Sequence, residues 1–205
     1  MDSHAATMSD RTWLRYSELS PEARAVAREW WREQQHETHG LKGLLRDELK
    51  AHFGVTGCEV QYSLGYCQGD GVAFYGQPDL ETWAEKDEHL AGLMARYTLW
   101  CTAWGYDVDL SCCISPSEVG HYHHHNTMWV DVDNCNGYPA SVDESGDHLV
   151  GDIADYLHER VKEISWALEK LGYDEIEYQR SDDAIHEDIL ANDEWCRFDE
   201  EGSNV

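Results

Sequence analysis

One stretch in the first half of the chain, residues 58–76, constrains the fold most strongly. From Cys58 to Tyr66, strand-favouring side chains alternate with polar or small ones. This period of two is typical of a strand with one buried face. The turn sequence QGDG at 68–71 follows, and the chain resumes as the apolar segment 72–75. Because glycine accepts positive φ and aspartate caps its own turn, we predict a β-hairpin with a tight tip.

A second pair of alternating segments, at 108–114 and 121–133, predicts another hairpin. Apolar residues dominate the even-numbered positions of the predicted strands, whereas Asp, Glu, Ser, Cys and His dominate the odd-numbered positions. The two hairpins predict an α+β fold with a four-stranded antiparallel sheet. We expect helices to cover its even-numbered face, because antiparallel sheets commonly bury one face and expose the other.

Helical periodicity and capping residues surround these strands. An N-terminal helical pair is predicted at 21–40 and 41–53, and core helices are predicted at 82–104 and 147–171, the latter ended by Gly172. We expect residues 173–178 to be a short strand or an extended segment. Ser181 caps a last helix, and Trp195 and Phe198 should anchor the acidic tail that follows it. The predicted organisation is an N-terminal helical segment at 1–55 and an α+β body at 56–205, within one compact domain.

Net charge is the strongest global signal in the sequence. The chain of 205 residues carries 41 Asp and Glu against 15 Lys and Arg, a net charge of −26. The first 50 residues are nearly neutral, so the excess acid belongs to the remainder. Such a field repels nucleic acid and anionic membranes and attracts basic proteins. Solubility, or adaptation to a salty cytoplasm, is the alternative explanation of this charge.

Compartment is predicted from what the sequence lacks. No apolar run approaches the roughly 20 residues that span a bilayer, and no signal peptide precedes the first predicted helix. We therefore expect a soluble, cytoplasmic protein. The seven cysteines form no C-x-x-C pair, so we expect reduced thiols rather than a disulfide framework.

Three chemistries are alternatives to a purely structural role for the polar sheet face. His121, His123 and His125 alternate along a predicted strand, and together with Cys113 they offer ligands that suit zinc. Adjacent side chains on one strand face lie about 7 Å apart, so only two of these histidines would readily share an ion. The QGDG sequence could bind phosphate, although it lacks a following lysine and leads into a strand, which favours a turn. A histidine could also activate Cys67 or Cys113 as a nucleophile.

Three segments carry a resemblance to a known group of sequences. They are YCQGDGVAF at 66–74, HHHNTM at 123–128, and SDDAI at 181–185 with AND at 191–193. In order and approximate spacing they resemble a family of small uncharacterised proteins of phages, prophages and plasmids. That family has the motifs SQGDGA-F, H-x-N-T-M and S-D-E-A-I…A-N-D, and some members are labelled antitoxins. Cys67 departs from the serine of the first motif. The resemblance implies a mobile-element origin and no catalytic residues.

The main functional prediction is a non-enzymatic inhibitor of a host defence protein or toxin that itself binds DNA or RNA. Closely spaced carboxylates imitate the phosphates of a nucleic acid, so an acidic surface would occupy the partner's basic site. We predict no direct contact with nucleic acid or membrane and no required cofactor. The alternative is a metal-binding protein, with zinc, or a hydrolase that uses the His-rich face. The predicted contact surface consists of Asp174, Glu175, Glu177, Asp182, Asp183, Glu187, Asp188, Asp193 and Glu194.

Overall fold

The computed structural model describes residues 13–34, 40–117, 122–134 and 145–205. Six α-helices and four strands lie in these ranges. In chain order they are α1 (Pro21–Gln34), α2 (Leu41–Ala51), β1 (Cys58–Ser63), β2 (Gly71–Gly76), α3 (Leu80–Ala84), α4 (Glu88–Trp104), β3 (Leu110–Pro116), β4 (Met128–Asn134), α5 (Ser145–Gln179) and α6 (Asp182–Ala191).

The four strands form one antiparallel sheet in the order β1-β2-β3-β4, so the predicted α+β fold is confirmed. β1 pairs with β2 along its whole length, with Val60 opposite Phe74. β3 pairs with β4 in the same way, with Cys112 opposite Val132. A single residue pair, Gly76 opposite Ile114, joins the two hairpins. Two nearly independent hairpins therefore make the sheet.

The two sheet faces divide as the alternation predicts. Val60, Phe74, Cys112, Ile114 and Val132 on the even-numbered face are buried. The opposite face exposes acidic and polar side chains, among them Glu59, Gln61, Ser111, Cys113 and Asp131. The hydroxyl of Ser165 in α5 donates a hydrogen bond to the backbone carbonyl of Val72 in β2, so α5 contacts the sheet directly.

The predicted starts of β3 and β4 are wrong. β3 begins at Leu110 rather than at residue 108, and Val108 is exposed. β4 begins only at Met128, because the residues just before it form a 3-10 turn, His125–Thr127. The backbone amide of His124 donates to Oγ1 of Thr127 at 3.0 Å, and that hydroxyl donates to the carbonyl of His124. These local bonds replace strand pairing in the histidine-rich segment.

The helix predicted at 82–104 is interrupted between α3 and α4 by a buried carboxylate. Asp87 accepts hydrogen bonds from the amide of Leu90 at 3.1 Å and from the hydroxyl of Tyr156 at 2.7 Å. It also pairs with Nε of Arg160 at 2.9 Å. Burial raises the pKa of Asp87, but these bonds and the guanidinium outweigh burial and hold the pKa below its ordinary value. Asp87 is the N-cap of α4 and also joins α4 to α5.

α5 is the largest departure from the predicted helices. It runs through Gly172 to Gln179, so residues 173–178 are helical, and the predicted end at 171 is wrong. A Cβ on Gly172 would lie 2.4 Å from Cδ1 of Leu64. The glycine therefore permits close packing of the helix against the chain after β1 instead of ending the helix.

Contacts group the described residues into two units. The domain boundary predicted between residues 55 and 56 stays a prediction. Residues 40–174 form one unit, which holds the sheet and α2. The other unit combines the described part of 1–39 with 175–205. Its core consists of Tyr16, Leu19, Ala23, Ala27, Ile185, Ile189, Cys196 and Phe198. Phe198 anchors the tail as predicted, whereas Trp195 is 84% exposed and does not.

No helix in the described part of the chain is both long enough and apolar enough to cross a membrane.

Candidate functional site

The predicted acidic surface contains carboxylates that the fold itself uses. Asp182, the first residue of α6, forms ion pairs with Arg28 at 3.5 Å and Arg32 at 2.7 Å. Both arginines belong to α1, and the guanidinium of Arg32 also donates to the backbone carbonyl of Arg180. The two basic residues that follow one another at i+4 on α1 therefore hold the start of α6.

Two more residues of the predicted contact surface form hydrogen bonds within the unit that combines the described part of 1–39 with 175–205. Asp188 accepts a hydrogen bond from the indole N–H of Trp31 at 2.8 Å. Asp193 accepts one from the hydroxyl of Ser17, also at 2.8 Å. These acids pack α6 and its following turn against the N-terminal residues, so they are not free to contact a partner.

The other predicted acids are available to solvent to different degrees. Glu175 is half-buried and accepts a hydrogen bond from Gln179. The remaining five are exposed and make no ion pair or hydrogen bond with any described residue: Asp174, Glu177, Asp183, Glu187 and Glu194. Asp183 and Glu187 are four residues apart on α6 and so share one helix face. Glu194 directly precedes the exposed Trp195.

A second polar cluster centres on Asp70 at the tip of the first hairpin. Its Oδ2 accepts from the backbone amides of Gly65 and Cys67 at 2.7 Å each and from the Tyr173 hydroxyl at 2.8 Å. Its Oδ1 accepts from the hydroxyl of Ser63 at 3.1 Å. These bonds end β1 at Ser63, three residues before the predicted end. The predicted self-capping turn is therefore present, and it also recruits a residue of α5.

The hydrogen bonds around Asp70 have consequences for ionisation. Burial raises the pKa of Asp70, but the donated hydrogen bonds outweigh it and hold the pKa below its ordinary value. Burial and then the hydrogen bond to Asp70 raise the pKa of Tyr173 to about 12. Asp70 is thus an ionised acceptor, and Tyr173 is a permanent donor at neutral pH.

The histidine-rich segment lies against this hairpin tip. A Cβ on Gly71 would be 2.5 Å from the Cβ of His124, so the QGDG and HHHNTM segments are in direct contact. Nδ1 of His124 accepts from the amide of Asn126, and Nδ1 of His125 accepts from the indole of Trp166 at 3.0 Å. These bonds fix both rings in the tautomer that carries its proton on Nε2.

The predicted metal ligands do not share a strand face. His123 and His125 precede β4, and Cys113 in β3 lies opposite Asp131 rather than a histidine. His121 lies outside the described residues. No group of three His, Cys, Asp or Glu in the described ranges could hold a metal ion. The zinc site stays a prediction, but the strand geometry from which it was predicted is wrong.

The thiols of the sheet show no sign of activation. The six cysteines in the described ranges form no disulfide with one another, and the reduced state of the thiols stays a prediction. Burial raises the pKa of Cys58 and of Cys112 to about 12 each, so both are neutral. Cys67 is exposed, and its Sγ lies 3.4 Å from the carbonyl of Gly65. None of these three thiols has an imidazole as a hydrogen-bond partner among the described residues.

One face of α5 completes the cluster at the hairpin tip, and sequence analysis missed it. Trp166, Glu169 and Tyr173 follow one another at helical spacing and approach His125, His124 and Asp70. Burial and then the charge of Asp70 raise the pKa of Glu169. The spacing of these residues is a usable signal, but assigning residues 173–178 to a non-helical segment hid it.

Comparisons with known proteins add no family assignment. A scan against protein-family models, a search of curated proteins and a search of solved structures find no match to this chain. The resemblance to small phage and plasmid proteins therefore stays a prediction that is based on its three short motifs.

Proposed function

We propose that this chain is a non-enzymatic phage or mobile-element protein that binds and inhibits a basic, nucleic-acid-binding protein of its bacterial host. One observation carries the proposal. The carboxylates of Asp183, Glu187 and Glu194 are exposed, and the same C-terminal segment carries Trp195, which is 84% exposed. Binding surfaces typically combine a large aromatic anchor with charged groups at the rim.

The charge of the chain supports the choice of partner. At −26 it attracts a basic surface from a distance and repels the nucleic acid that such a surface ordinarily holds. Lys and Arg residues placed to neutralise phosphates would accept carboxylates instead. The expected contact surface is smaller than the nine predicted residues, because Asp182, Asp188 and Asp193 already form ion pairs or hydrogen bonds with side chains of this chain.

The test compares charge reversal at this surface with charge reversal elsewhere. The triple variant Asp183→Lys, Glu187→Lys and Glu194→Lys leaves the internal ion pairs in place. The control variant Glu59→Lys, Asp131→Lys and Asp155→Lys makes the same change in net charge at exposed positions of the other unit. Each immobilised protein is used to capture host proteins at 50 mM and 500 mM NaCl, with and without duplex DNA as competitor.

We expect wild type and the control variant to retain a basic protein that DNA displaces. For the surface variant we expect association to be about tenfold slower, because steering depends on local charge. Trp195→Ala should mainly accelerate dissociation. Equal loss of partner binding in the two triple variants would mean that only net charge matters. Capture of a partner that competing DNA does not displace would contradict nucleic-acid mimicry.

A further inference from the structure

The hairpin-tip cluster consists of Tyr66, Asp70, Tyr122, Glu169 and Tyr173. It exposes aromatic rings beside the carboxyl groups of Asp70 and Glu169. Tyr66 is 60% exposed and its ring centroid lies 4.8 Å from that of Tyr173, whose hydroxyl is bonded to Asp70. Tyr122 is 53% exposed and its ring covers Gly69, since a Cβ at that glycine would lie 3.0 Å from the ring. Exposed aromatic rings occur elsewhere on this chain, but here several lie next to one another, and contiguous exposed patches of this kind mark binding sites.

The same cluster lacks a cation. Glu169 lies one helical turn before Tyr173 on α5, and the hydroxyl of Tyr173 is bonded to Asp70. Burial and then the charge of Asp70 raise the pKa of Glu169. Neither carboxyl forms an ion pair with a Lys or Arg in the described ranges. Arg11 is the only one of the 15 basic residues that lies outside those ranges. The imidazole of His124 acts on Glu169 and lowers its pKa, but no described Lys or Arg gives the two carboxyl groups a permanent counter-ion.

We propose that Tyr66, Tyr122, Tyr173, Asp70 and Glu169 form a binding site for an organic cation, either an alkylammonium or a guanidinium group. Such a cation would contact the negative faces of the tyrosine rings and neutralise the two carboxylates together. A metal ion fits less well, because no described group of three ligands could hold one. Anionic ligands such as nucleotides would be repelled by the net charge of −26.

Two sources offer this chemistry: a free polyamine, or a Lys or Arg side chain of a protein partner. The site belongs to residues 40–174, whereas four of the five exposed acids of the predicted partner surface belong to residues 175–205. The inference therefore does not depend on the proposed function, and the two can fail separately.

Calorimetric titration with spermidine, agmatine and the capped amino acid N-acetyl-arginine amide tests the site, with 1,6-hexanediol as an uncharged control ligand. We expect saturable binding of the cations and none of the diol. Glu169→Gln removes one carboxylate without changing its shape. Tyr66→Asn removes a ring but tolerates the left-handed backbone at this residue, where φ is +58°. Each should weaken cation binding roughly threefold to tenfold.

The matched control is Glu59→Gln, which makes the same change in net charge on the open sheet face. It should bind the cations as wild type does, and so should the Asp183, Glu187 and Glu194 triple variant. Tighter binding of spermidine than of the arginine amide would identify a polyamine site. The reverse order would identify a side-chain site. Absence of saturation, or equal weakening by Glu59→Gln, would overturn the proposal.

Discussion

At the scale of single residues, the side chain of Asp70 joins the tip of the first hairpin to α5 through its hydrogen bonds. Its two carboxylate oxygens accept four hydrogen bonds, from Ser63, Gly65, Cys67 and Tyr173. An amide in its place offers one acceptor oxygen and therefore leaves donors unsatisfied. The charge of Asp70 is thus structural, even where the residue also belongs to the proposed cation site.

Asp70→Asn should lower the free energy of unfolding by about 2 kcal/mol at pH 7, since charged acceptors in partly buried sites are costly to lose. Because the pKa of Asp70 is below its ordinary value of 3.8 when folded, its stabilisation is complete above that value and is lost as pH falls through the folded pKa. Urea unfolding of wild type and variant from pH 7 to pH 2 measures the difference. Asp131→Asn, at an exposed residue, is the control and should change little. A difference that persists unchanged to pH 2 would contradict this account.

At the scale of elements, Gly57 at the end of the first hairpin opposite its tip sets how β1 starts. Gly57 has φ of +75°, and a Cβ there would lie 2.2 Å from the backbone carbonyl oxygen of Gln77. The amide of Gln77 donates to the carbonyl of Gly57 at 3.2 Å. A backbone atom cannot move aside as a side-chain end can, so this position accepts only glycine.

Gly57→Ala should destabilise the protein by about 2 kcal/mol or more, because it combines a strained backbone with a clash. Gly43→Ala is the matched control within the same unit, because Gly43 lies inside α2 and nothing is within 4 Å of an added Cβ. That variant should be stabilised by up to about 1 kcal/mol through helix propensity. Thermal unfolding of both proteins decides the matter, and a neutral Gly57→Ala would refute the predicted strain.

At the scale of the whole molecule, charge is the dominant property. The 15 Lys and Arg are far too few to neutralise the 41 acidic residues, so the folded chain repels itself. Buried pairs such as Asp87 with Arg160 are screened much less by salt than exposed acids are.

Unfolding temperature should therefore rise by several degrees as NaCl increases from about 10 mM to about 500 mM, because the Debye length shortens from roughly 30 Å to a few ångströms. Differential scanning calorimetry measures this rise. The Asp183, Glu187 and Glu194 triple variant, which is less negative, should show a smaller rise. An unfolding temperature that is independent of salt would mean that self-repulsion contributes little to stability.

Features that depend on local periodicity and capping could be predicted from the amino-acid sequence alone. Alternation from Cys58 onward predicted the first hairpin and its buried face, and Ser181 predicted the start of α6, where its hydroxyl accepts from the amide of Ala184. The net charge of the chain was likewise given by the sequence alone. These features depend on neighbours in the chain, so the sequence holds the information directly.

Features that depend on contacts between distant segments could be read only from the three-dimensional structure. Gly172 has the signature of a helix end, but packing of Leu64 against it keeps α5 helical. In the sequence the acids of α6 look equivalent. In the structure Arg28 and Arg32 form ion pairs with Asp182 but not with the other exposed acids of this helix. The hairpin-tip cluster joins residues about 100 positions apart, since Asp70 bonds to Tyr173. No local sequence pattern predicts that these two residues are in contact, because the contact results from how the helices pack on the sheet.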